Sequence, residues 1–155
     1  RVVRPGGKVA AFYGNWLGAV LMPGYAHLEQ RLYTALEVYY AKHGRAHPSF
    51  ANENALGWFQ DAGLEVVEVS AHTALYRQPL PEDIRRYLQR YVFEVEYREP
   101  PFLKEYALGM GLTEADWDRW LELSNPASPD YLLDRDDYFC VRYGILTVGV
   151  VPESG

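Results

Sequence analysis

Three apolar segments set among helical stretches predict a mixed α/β chain: a three-stranded sheet with a helical insertion before its last strand. The first segment, Lys8 to Tyr13, follows Pro5-Gly6-Gly7 and precedes Gly14-Asn15, so turn residues bound a short apolar run. The second, Leu64 to Tyr76, starts after Gly63 and centres on Val66, Val67 and Val69. The third, Tyr138 to Val151, is almost wholly β-branched, aromatic or otherwise apolar. That is the composition of a central strand buried on both faces.

The remaining elements follow in chain order. Arg1 to Arg4 reads as the last turn of a helix, ended by Pro5-Gly6-Gly7 because proline cannot continue a helix and glycine accepts positive φ. Gly14-Asn15 opens a loop after the first strand. Leu17 to Met22 is an apolar strand end or short helix, closed by Pro23-Gly24. His27 to His43 carries Leu28, Leu32, Ala35, Leu36 and Tyr39 at helical spacing, with Glu29, Gln30, Arg31 and Glu37 between them. Ser49 caps a helix over Phe50 to Ala62, and Gly63 stands just past its end. Pro81-Glu82-Asp83 places proline and two acids in the first turn of a helix reaching Phe93. Phe102 to Leu108 is a short helix, and Thr113 with Asp116 starts another through Leu123. Asn125 to Asp137 is a loop, and Gly144 marks a bulge in the last strand.

Composition narrows the function classes. A length of 155 residues suffices for one domain with a core. A formal net charge of −6 and a pI near 5.2, without a Lys/Arg cluster, argue against nucleic acid as a partner. The single cysteine, Cys140, permits no internal disulfide and fits a reducing, cytoplasmic setting. No stretch is long and apolar enough to span a bilayer, so no membrane partner is expected. The 13 Tyr, 6 Phe and 4 Trp supply either core or the lining of a pocket for an apolar small molecule.

Arg1-Val2-Val3-Arg4-Pro5-Gly6-Gly7 with the following Lys8–Phe12 resembles a segment in the second half of class I S-adenosylmethionine (SAM)-dependent methyltransferases. The helix–Ala–Gly–Leu–strand unit over Trp58 to Ser70 and the strand Tyr138 to Val151 resemble the same family. The resemblance implies the C-terminal portion of a Rossmann-like methyltransferase sheet. Its fifth and sixth strands would flank the seventh, which is antiparallel and central. Residues 1–155 then form a single domain that is part of a larger methyltransferase domain, with 79–137 as a helical insertion or lid. The resemblance implies SAM as the cofactor of the complete domain and a small-molecule acceptor. The glycine-rich loop and the ribose-binding acid of the family have no counterpart here. A missing N-terminal half, or a homo-oligomer partner covering the sheet edge, is therefore expected, and the chain alone is expected to be inactive.

Open α/β sheets bind ligands at the carboxyl ends of their strands. For the first strand that edge is Tyr13, Gly14, Asn15 and Trp16. Tyr13 and Gly14 are the cofactor-binding candidates; Asn15, Trp16, Tyr25 and His27 are the substrate-binding candidates. Tyr13 and Trp16 offer rings for stacking, Asn15 a polar group for orientation, and His27 a base near an acceptor hydroxyl. No catalytic residue is assigned. No metal is expected: Gly44 and Pro48 break the helix that would align His43 with His47, and Arg135 sits among Asp134, Asp136 and Asp137, which lack the glycine and Glu of a calcium loop. Two rival readings stand beside the methyltransferase one. One is a non-catalytic binding or oligomerisation module derived from that fold. The other is an unrelated α+β ligand-binding domain.

Overall fold

The computed structural model describes residues 3–43, 54–98 and 102–153, without the side chains of residues 15–17. It is a mixed α/β structure. Strand β1 spans Lys8–Val20 and is followed by helix α1, Ala26–Lys42. Helix α2 spans Ala55–Asp61, strand β2 Glu65–Arg77, and helix α3 Glu82–Tyr87. A π-helix, Leu88–Glu96, continues from α3. Helices α4, Leu103–Gly109, and α5, Glu114–Leu123, come next. A short 3-10 turn, Leu132–Asp134, leads to strand β3, Phe139–Val150.

The sheet order is β1-β3-β2, so the last strand in the sequence is central. Both pairings are antiparallel. The start of β1 meets the end of β3, where the Gly6 N–H donates to the Val151 carbonyl and the Val151 N–H to that of Gly7. The end of β2 meets the start of β3, where the Gln78 N–H donates to the Tyr138 carbonyl at 3.3 Å. β1 and β2 therefore run in the same direction on either side of β3.

The chain divides into two compact units, and each of the three strands contributes residues to both. Unit 1 is Arg1–Ala19, Ala46–Ala74 and Arg142–Gly155; unit 2 is Val20–Arg45 and Leu75–Val141. Unit 2 holds most of the buried side chains. Leu28, Leu32, Ala35 and Leu36 of α1 are buried, as are Leu88, Val92 and Phe93 of the π-helix, Leu103 and Ala107 of α4, and Trp120 and Leu123 of α5. The Trp120 ring meets Phe93 and Tyr97 edge-on, at 5.5 and 5.9 Å between centroids. Its indole N–H donates to the Tyr97 carbonyl at 3.3 Å. In unit 1 the described apolar side chains buried below a tenth of their surface are only Tyr13 and Ala55, whereas Phe12, Trp58, Val67 and Val69 are about half or more exposed.

Several sequence expectations are corrected. β1 does not end at Tyr13; its backbone runs through Gly14 and Asn15 to Val20. Gly18 belongs to this extension because a Cβ there would sit 3.3 Å from the Tyr143 Cβ. β3 runs unbroken through Gly144, whose missing side chain makes room for the Phe12 ring. A Cβ there would lie 2.6 Å from Phe12 Cζ and 3.2 Å from the Tyr13 carbonyl oxygen. The helix expected from Pro81 to Phe93 is α-helical only to Tyr87, then widens into the π-helix. Within the loop from Asn125 to Asp137, Tyr131, Leu132 and Leu133 are buried. Thr113 caps α5 as expected: its hydroxyl accepts the Asp116 N–H while the Asp116 carboxylate accepts the Thr113 N–H. Ser49 and the helix start at Phe50 lie outside the described residues.

Candidate functional site

The carboxyl end of β1 lies at Val20, so the strand-end position proposed for Tyr13 to Trp16 moves to Leu21 and Met22. Tyr13 and Gly14 belong to unit 1 and stand within the strand. Tyr13 is buried, and Gly14 is half-buried with ordinary rather than positive φ. A Cβ on Gly14 would meet Arg142 Nη2 and the Tyr143 carbonyl oxygen at 3.6 and 3.9 Å, ordinary contacts. Gly14 thus forms no cradle of the kind a bound nucleotide uses. Asn15 and Trp16 continue the β1 backbone, and their side chains lie outside the described ones.

Also in unit 1, Phe12 from β1 and His72 from β2 meet edge-on with centroids 6.1 Å apart. Phe12 lies against Gly144 of the strand between them. On β2, the Ser70 hydroxyl donates to Glu68 at 2.8 Å and is bonded to His72 Nε2 at 3.1 Å. Serine stands between acid and imidazole here, the reverse of a nucleophilic triad, in which histidine bridges the other two.

In unit 2 the segment after β1 is pinned by two side chains, Glu29 of α1 and Tyr138 just before β3. The Leu21 and Met22 N–H groups donate to the two oxygens of Glu29, at 2.7 and 3.2 Å. The Tyr138 hydroxyl, at the start of β3, donates to the Leu21 carbonyl at 3.0 Å. Glu29 is half-buried, and desolvation raises its carboxyl above the usual range despite the two backbone N–H donors, which pull the other way. Tyr97 and Tyr138 are 1% exposed, and burial followed by the charge of neighbours including Glu29 pushes both phenols up. Glu29 sits among the polar positions of α1 by sequence spacing, so the helical pattern alone assigns it to solvent.

Tyr25 and His27 follow directly in the chain and lie in a charged network of unit 2. Arg119 of α5 donates to the Tyr25 hydroxyl at 3.0 Å, to Glu122 at 2.9 Å, and to Asp130. The Tyr25 ring faces both the Arg119 and the Arg135 guanidinium, 5.7 and 6.0 Å from its centroid. Arg135 is in turn paired with Asp137 at 2.8 Å. His27 Nε2 stands 3.6 Å from Asp116, whose carboxyl is held low mainly by the Thr113 N–H and hydroxyl and less by His27. The sequence reading named Tyr25 and His27 without their partners. Arg119, Asp130 and Arg135 come from elements distant in sequence, and only the tertiary fold gathers them.

Among the described residues no group of three His, Cys, Asp or Glu is placed to hold a metal ion, and no helix is long and apolar enough to cross a membrane. Compared with models of known protein families and with curated proteins, the chain matches none.

Proposed function

We propose that this chain is the C-terminal portion of a SAM-dependent methyltransferase for a small molecule, and that it shapes the acceptor side of the site. The observation that carries the reading is the sheet order β1-β3-β2, with an antiparallel last strand in the middle. A three-stranded end of a Rossmann-like methyltransferase sheet has this arrangement. The helical insertion from Glu82 to Leu123, set between β2 and β3, supports a lid over an acceptor. When bound, SAM supplies an electrophilic methyl group. The residues described here do not form its grip, so that grip is assigned to the missing N-terminal half. This chain contributes the strand ends and the segment Leu21–Tyr25, which Glu29, Tyr138 and Arg119 hold in place. At that segment the Tyr25 hydroxyl and the His27 imidazole are the polar groups that orient an acceptor.

The sparse burial in unit 1 supports the same reading, since β1 and β2 are the outer strands and the partner half would pair with β1. It also favours the second reading, a binding or oligomerisation module, in which another copy covers that edge. The test joins the chain to an N-terminal half of a small-molecule methyltransferase that ends before its fifth strand. Calorimetry with S-adenosylhomocysteine then compares the fusion with each part. Micromolar binding by the fusion alone is expected. Binding by this chain on its own, or a folded fusion that fails to bind, overturns the proposal. A discrete homodimer together with a non-binding fusion selects the module reading.

A further inference from the structure

β2 is an outer strand of the sheet, and among the described residues no strand pairs with its free edge. It is a continuous run, Glu65–Arg77, with neither the proline nor the lysine that ordinarily blunts an exposed edge. Val67, Val69 and Leu75 lie at odd positions and are 51, 53 and 63% exposed. Glu65 and Arg77, at its two ends, are exposed, and neither makes an ion pair among the described residues. Laid antiparallel on a second copy of itself, the strand has one register that pairs every residue, with Ala71 on the two-fold axis. That register sets Glu65 of each copy opposite Arg77 of the other. It also sets Val67 opposite Leu75 and Val69 opposite Thr73, each twice, so exposed apolar side chains meet across the new pair. No like charges face each other, since Glu68 stands opposite Ala74.

We infer that the free edge of β2 is a self-complementary surface through which two copies of this chain join their sheets as a two-fold dimer. The backbone allows this register. The Gln78 N–H is turned toward β3, and alternation along the strand turns the N–H and carbonyl of Ala71 the other way, to the open side. At the axis the small Ala71 side chains leave room for the two backbones to approach. β1, the other outer strand, has no such match. Its residues hold a single charge, Lys8, and it centres on Gly14, which gives a cross-strand pair no side chain. The two edges thus differ in kind: β2 fits a copy of itself, and β1 stays open to the partner half that the methyltransferase reading assigns to it. An interface of one strand edge is small, so the dimer dissociates in the micromolar range.

The dimer is observed without cofactor or methyl transfer, so its failure is separate from failure of that function. Sedimentation equilibrium would compare the wild-type chain with Glu65→Arg, with Arg77→Glu, and with the double swap. All three place substitutions at exposed positions, and circular dichroism checks that each is folded. The wild type is expected to dimerise at micromolar concentration. Each single swap sets two like-charged pairs face to face and raises the dissociation constant about tenfold, and the double swap restores it. Ala71→Pro, which removes an N–H from the open side and leaves the ladder to β3 intact, is expected to abolish the dimer. A folded wild-type chain that stays monomeric at high micromolar concentration overturns the inference. So does a dimer that both single swaps leave unchanged, which would seat the second copy elsewhere, the β1 edge included. A double swap that stays as weak as the single ones overturns the register.

Discussion

Replacing Trp120 with alanine tests where the stability of this chain resides. Trp120 is fully buried, wedged against Phe93 and Tyr97, with its indole N–H bonded to the Tyr97 carbonyl. A buried tryptophan contributes roughly 150–250 Å² of apolar surface, worth about 4–6 kcal/mol at ~25 cal/mol/Å². Measured Trp→Ala changes fall at about 3–5 kcal/mol, with the residual cavity included. The two edge-on ring contacts and the carbonyl left without its donor place Trp120 at the upper end, about 4–5 kcal/mol. Total domain stabilities are about 5–15 kcal/mol, so this loss removes much of what unit 2 has. Trp58, 48% exposed on α2, is the control: Trp58→Ala is expected to cost about 1 kcal/mol or less. Urea denaturation followed by circular dichroism gives the global values. Amide exchange within α5 gives the value for unit 2 alone, which matters where two units unfold separately. If Trp120→Ala lies within about 1 kcal/mol of wild type, or Trp58→Ala costs as much as Trp120→Ala, the assignment of the core to unit 2 is wrong.

Two further substitutions probe polar groups. The Tyr131 hydroxyl is buried without a hydrogen-bond partner among the described residues, and burial raises its pKa to about 12. Tyr131→Phe keeps the ring beside Arg85 and is expected to stabilise the chain by about 1 kcal/mol; a lower urea midpoint would show that the hydroxyl is satisfied in solution. Thr113→Ala removes the α5 cap and is expected to cost about 1 kcal/mol at neutral pH. Because Thr113 holds Asp116 below the usual carboxylate range, the cap is at full strength above the ordinary aspartate range and fades as pH falls through the lowered value. The part of the difference between Thr113→Ala and wild type that comes from the hydroxyl–carboxylate bond should therefore shrink in strong acid, and a constant difference would show that this bond adds nothing to the cap.

The parts of the fold that the sequence announces are those where local chemistry and tertiary packing agree. Thr113 and Asp116 have capping spacing and cap α5; Gly63 sits past the end of α2 with φ of +71°; the apolar run from Phe139 to Val150 is central in the sheet. The failures have tertiary causes. Gly14 reads as the start of a loop because strands disfavour glycine, yet it continues β1, as does Gly18, with the Tyr143 side chain packed close to Gly18. Nothing in Leu88 to Glu96 distinguishes a π-helix from an α-helix by composition. Tyr131 to Leu133 hides in a stretch rich in proline, serine and aspartate, yet is buried, and Arg85 and Gln78 donate to the Leu133 carbonyl from distant positions. The candidate site divides the same way. Tyr25 and His27 are legible as polar side chains near a helix start, whereas the bonds of Glu29 to the Leu21 and Met22 N–H groups depend on the tertiary fold.

The central strand also comes after both of its neighbours in the chain. During synthesis β1 and β2 emerge well before β3, and in the finished sheet each pairs with β3. Until β3 emerges, two thirteen-residue strands lack the strand that each pairs with in this sheet. Unit 2 meets a gentler schedule, since α1 and the helices from Glu82 to Leu123 all precede β3 and their backbone hydrogen bonds are local. A nascent chain stalled before Phe139 would thus hold its helices early and its strands unpaired, the condition in which edge-to-edge association competes with folding.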